Sequence, residues 1–175
     1  MPWPVACVAM RKDGALGMKQ AMRLAQARQY ISPTDKCKGT EEHYNIFEAL
    51  ISGRNPSDEL VKPSLDYMDT FNANVLRISS MAHKVCELHE ENDKADSYLV
   101  ICGRVNMLHG YGLPEKIWKT IPSLKDESYT LCTRQDSSLL ALNKDNYKSE
   151  LKNRIGYCAI EKTPPADLCF VCQDT

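Results

Sequence analysis

The residues best placed to do chemistry in this chain lie between Ile101 and Trp118, in the run ICGRVNMLHGYGLPEKIW. Asn106, His109 and Tyr111 carry the polar groups of that run, and Gly103, Gly110 and Gly112 surround them. An apolar stretch precedes the loop and Pro114 opens an amphipathic segment after it, so the order reads as strand, glycine turn, helix. In open α/β sheets ligands sit outside the carboxyl ends of strands, which is where such a loop falls. Neither G-x-G-x-x-G nor G-x-x-x-x-G-K-[ST] is present, so the dinucleotide and P-loop mechanisms lack their residues. Spacing alone explains the glycines as a tight turn.

Two further groupings have metal-ligand residue types. His83-x-x-Cys86-x-x-His89 falls at i, i+3 and i+6 of a predicted helix and spreads over about 120° of its circumference. It could hold a metal only with ligands from elsewhere, and a solvated helix end with one buried Cys explains it more simply. Cys169-Phe-Val-Cys172 lies in an apolar run that reads as a strand. Residues three apart in a strand face opposite ways, so those sulfurs diverge. The eight cysteines, Cys7, Cys37, Cys86, Cys102, Cys132, Cys158, Cys169 and Cys172, therefore read as free thiols. That points to an intracellular reducing compartment or organelle rather than secretion.

The elements that must position the loop begin with helices. GALGMKQAMRLAQARQY predicts a helix from Ala15 to Tyr30, ended by Ser32-Pro33. A second spans about Glu41–Ile51, with Thr40 as N-cap and Ser52-Gly53 as its stop. The longest runs from about Asp58 to Glu91. Val61, Leu65, Met68, Phe71, Val75, Ile78, Ala82 and Val85 form one apolar stripe along it. Three β-like runs follow: Tyr98–Cys102, Ser128–Thr133 and Asp167–Gln173. Helices at Leu113–Thr120 and about Asp145–Arg154 separate them. That alternation predicts an α/β fold with a small, mostly parallel sheet flanked by helices and a helical N-terminal part. YLVIC is expected to be its strand buried on both faces.

Bulk composition suits one domain with a real core: 175 residues, 43% apolar and 26% charged. The net charge of −1 is evenly mixed and offers no basic face for nucleic acid. The apolar start is broken by Pro2 and Pro4 and is too short to span a bilayer, so neither signal peptide nor transmembrane segment is expected.

Cys102–Ile117 resembles the late signature of the ChaN-like haem-binding uptake family, related to the Tiki and erythromycin-esterase-like folds. That signature is a-G-x-G-H-[LI]-x-[YH]-G-[YF]-G-[IV]-P-E-[RK]. Gly103, His109, Gly110, Tyr111, Gly112, Leu113, Pro114, Glu115 and Lys116 fit it in place. Ala73–Ala82, ANVLRISSMA, is similar to the family's a-Q-x-L-w-D-x-[ST]-M-A helix, and Pro165–Leu168 to its closing strand. The likeness covers about residues 60 to 175. It implies a helical segment over 1–57 and an α/β core over 58–175, within one compact unit.

The departures fall on the family's polar positions. Asn74 replaces the motif's Gln, Ile78 its Asp, and Val105-Asn106 its Gly-His. The family's opening strands with G-E-x-H are missing. Gly39-Thr40-Glu41-Glu42-His43 echoes them, but it follows no β run and lies downstream of a helix. Metal-dependent hydrolysis needs about three ligands and a base, and with Asn106 and Ile78 at the His and Asp positions little is left to support it. The resemblance implies a non-catalytic haem- or iron-related binding protein, a possible homodimer, with His109, Tyr111, Asn106, Gly103 and Asn74 as candidate cofactor-binding residues. The alternative is a degenerate fold serving as an assembly subunit of a larger protein complex.

Overall fold

The computed structural model describes residues 15–53, 64–91, 97–135 and 168–172. Five helices and two strands occur there: α1 (Ala15–Ala27), α2 (Glu41–Ser52), α3 (Met68–Glu91), α4 (Leu113–Thr120), α5 (Leu124–Glu127), β1 (Leu131–Gln135) and β2 (Leu168–Cys172).

The helices follow the local chemistry of the sequence. Thr40 caps α2 by accepting the His43 N–H at 3.2 Å, which satisfies one of the four unbonded donors of a helix start. Gly53 ends α2 at φ +75°, the left-handed conformation that terminates helices without a Cβ penalty. A 3₁₀ turn at Leu65–Tyr67, capped by Ser64, leads into α3. α3 is the central beam. Its apolar stripe is buried at Phe71, Val75, Ile78 and Ala82, while Leu65 at the approach is exposed. Val61 and Pro63, assigned to the same helix from sequence, lie outside the described residues, as does the helix expected at 145–154.

Three helices pack on α3 along different sectors. Ala21 and Ala25 of α1 meet Ala73 and Leu76, with Ile31 and Cys37 closing the same cluster. Tyr44 and Phe47 of α2 meet Phe71 and Val75. Leu113 of α4 meets Ile78 and Ala82. Ile31, Leu76, Ile78 and Val75 are sealed from solvent, and full burial of such side chains contributes roughly 1.5–3 kcal/mol each.

The expected α/β sheet is not there. The described part is 67% helical, and its β content is one two-stranded parallel ladder, with Leu131 opposite Leu168 and Gln135 opposite Cys172. The fold is helical, and the correction turns on Tyr98–Cys102. That run belongs to no ladder, and Leu99 and Ile101 are each 88% exposed. Exposure alternates along it: Tyr98 and Val100 are about half as exposed as their neighbours, and Cys102 tucks against Ile78 and Ala82. The segment has the two-residue exposure period of a strand, with no neighbouring strand among the described residues. A continuous apolar run records β propensity, but only partner strands can bury both faces.

Candidate functional site

The glycine loop closes over the junction of α2, α3 and α4. It is built from two 3₁₀ turns, Arg104–Asn106 and Leu108–Gly110. The Asn106 N–H donates to the Gly103 carbonyl at 2.9 Å and the Tyr111 N–H to the Leu108 carbonyl at 3.1 Å. Two glycines are required here. Gly110 and Gly112 both have φ +77°, and a Cβ at Gly112 would stand 2.5 Å from the Asn106 carbonyl oxygen. Gly103 needs no such freedom; a Cβ there would make ordinary contact with the Asn106 amide. Gly112 is followed by Pro114 in the first turn of α4, and the Gly112 carbonyl accepts the Lys116 N–H.

His43 meets this loop from the other side. Its capped position in the first turn of α2 fixes its backbone, and its ring contacts two aromatics. Phe71 of α3 packs edge-on at 4.9 Å between centroids, and Tyr111 stacks nearly parallel at 6.3 Å. Burial, with the Lys116 ammonium nearby, pushes the imidazole down to about 4, so it is neutral at pH 7. Among the described residues the His43 Nε2 has no hydrogen-bond partner, and neither has the Asn106 Oδ1; both residues are 3% exposed. Buried polar atoms are nearly always paired, so two orphans beside one turn are unusual.

Lys116 ties the loop's outgoing helix to the segment before α2. Its Nζ lies 3.3 Å and 3.4 Å from the two Asp35 carboxylate oxygens, with both side chains largely shielded. Burial alone would raise the Asp35 carboxyl. The Cys37 N–H at 2.7 Å and the Lys116 charge outweigh that and hold it below the usual carboxylate range. Burial pushes the Cys37 thiol up to about 11, so it is an inert thiol and no nucleophile at neutral pH.

Of the five residues singled out from sequence, Asn106, Tyr111 and Gly103 belong to this closed loop, and His109 lies in its second 3₁₀ turn. Asn74 sits one helical turn before Ile78 on α3, with its amide nitrogen buried and unpartnered. Ile78 reaches under the loop, its Cδ1 3.3 Å from where a Gly112 Cβ would be. The position at which the resembled family carries a carboxylate is therefore filled with hydrocarbon. His43 and Asp35 were missed. Gly39–His43 was the available signal for His43, and the absence of a preceding β run hid it.

The expectation of a solvated helix end at His83, Cys86 and His89 is corrected in part. His83 pairs with Glu87 at 3.3 Å, but His89 is buried against Tyr98 and only Cys86 was expected inside. Among the described residues no group of three His, Cys, Asp or Glu could hold a metal. None of their helices is long and apolar enough to cross a membrane.

His43 and Tyr111 are donors of the type that haem iron takes, but their arrangement does not fit a porphyrin. Axial ligation requires a donor atom open to the iron, and the His43 Nε2 and Tyr111 Oη are both sealed from solvent. No protein-family model, curated protein or solved structure matches the chain.

Proposed function

We propose that this chain is a non-catalytic assembly subunit, a degenerate ChaN-like protein that joins a larger complex through Tyr98–Cys102. The observation that carries this reading is the strand-like segment with no ladder and with Leu99 and Ile101 on its solvent side. An apolar segment that lies outside any ladder with Leu99 and Ile101 exposed is a template for another chain, and soluble proteins keep such segments short or covered. The filled carboxylate position at Ile78 and the tightly closed loop support a retained scaffold without retained catalysis.

Sedimentation velocity of the full chain tests it. The expected result is concentration-dependent association that the Leu99→Asp, Ile101→Lys double variant abolishes without lowering the melting temperature. A wild-type chain that stays a monodisperse monomer at every concentration and binds no hydrophobic dye overturns it.

A second reading, haem binding, is favoured by the stacking of His43 on Tyr111, the residue before the close Gly112–Asn106 contact. It requires Tyr111 to leave His43. Hemin titration is its test, with a Soret shift that His43→Ala and Tyr111→Phe together remove; no shift with the wild-type chain rejects it.

A further inference from the structure

We infer that Tyr98–Cys102 is completed by a second copy of this chain, whose own Tyr98–Cys102 lies antiparallel beside it about a two-fold axis at Val100. This rests on the assembly reading of the segment and names the chain that fills it. The segment is pinned to α3 at both ends. The Tyr98 hydroxyl donates to the Leu88 carbonyl at 3.0 Å and its ring meets His89 edge-on, while Cys102 packs on the cluster of Ile78, Ala82 and Leu113. It therefore runs back along the helix. Ala82 and Leu88 are six positions apart, about 9 Å at the helical rise, and the four steps from Tyr98 to Cys102 would cover only about 6 Å if they were helical. Four extended steps cover about 13 Å, and the alternation of exposure has the same two-residue period.

The backbone held in this way is a free edge. Among the described residues no backbone hydrogen bond engages Leu99, Val100, Ile101 or Cys102. None of the residues from Ser97 to Gly103 is charged or proline, so the usual devices that keep an edge from pairing are missing here. The same lack of charge lets the segment pair with itself, since no like charges come opposite each other. Its outward pattern is symmetric: Leu99 and Ile101 stand out on either side of the more shielded Val100. An antiparallel copy turned about Val100 sets Leu99 against the second copy's Ile101, and Ile101 against its Leu99. Each side chain gains an apolar neighbour, and the backbone groups of one edge find partners. The contact is isologous, because both copies offer the same patch.

Sedimentation velocity and methyl NMR of the full chain test this together. One batch is labelled at leucine methyls and another at isoleucine methyls, so every Leu–Ile methyl NOE in the mixture arises between copies. The expected result is a monomer–dimer equilibrium with a Leu99–Ile101 cross-peak that grows with concentration, because directly opposed residues lie about 5 Å apart at Cβ. With about nine chains in ten dimeric, alternate amides of 98–102 should exchange roughly tenfold more slowly, since only the monomer opens them to water. Leu99→Lys together with Ile101→Lys sets like charges opposite each other and should remove the dimer and the slowed exchange. Association without the Leu99–Ile101 cross-peak, or undiminished in the lysine variant, overturns the two-fold pairing. A wild-type chain that stays monomeric, yet binds a hydrophobic dye that the lysine variant does not, overturns the second copy and leaves the assembly reading standing. A monomer that binds no dye overturns both.

Discussion

Replacing Gly112 by alanine should be among the most damaging single-methyl additions to the chain. Gly112 has φ +77° and ψ −113°, outside the left-handed helical region and in territory essentially reserved for glycine, where a side chain costs roughly 1–3 kcal/mol. The added Cβ would also meet the Asn106 carbonyl oxygen at 2.5 Å and its carbon at 3.1 Å. Those atoms are backbone, so relief requires moving the 3₁₀ turn and its 2.9 Å bond to Gly103. Ile78, fully buried behind the loop, blocks the other direction. Overpacking of that kind adds about 1–3 kcal/mol, giving a total of roughly 2–6 kcal/mol.

Gly53→Ala is the internal control. Its φ of +75° is nearly the same, yet nothing lies within 4 Å of the new Cβ. Its cost should be about 1–2 kcal/mol from backbone strain alone. Urea denaturation followed by circular dichroism, with both variants at unchanged m-value, measures the difference. At about 2–4 °C per kcal/mol for a chain of this size, Gly112→Ala should melt about 10 °C below wild type. If Gly112→Ala costs no more than Gly53→Ala, the packed loop described above is wrong.

Lys116→Met should destabilise by about 1–2 kcal/mol at pH 7, since it strips the partly buried Asp35 of its cation. The Asp35 carboxyl lies below its ordinary value when folded, so its contribution is present above about pH 4 and is lost as pH falls through the folded value. Denaturant midpoints of variant and wild type should therefore converge in strong acid; a gap that persists at pH 2 would contradict the pairing. Thr40→Ala should cost about 1 kcal/mol by uncapping α2, read as a lower denaturation midpoint. Because His43 lies three residues into that helix, Thr40→Ala should also lower exchange protection in the glycine loop.

The helical part of this fold was legible because its signals are local. Thr40, Gly53 and the α3 stripe each act within a few residues, and α2 and α4 fall where capping and periodicity put them. The candidate loop was equally legible, since Gly110 and Gly112 are there for conformations that glycine alone adopts freely. Tertiary structure decided the rest. Whether YLVIC becomes a buried strand depends on neighbours contributed from elsewhere in the chain, and apolar propensity carries no information about them. The same holds for the site. His43 and Tyr111 are 68 positions apart in sequence, and Asp35 and Lys116 are 81 apart. Only the packing of α2 and α4 on α3 brings those pairs together, and that packing also sets the charge state of His43.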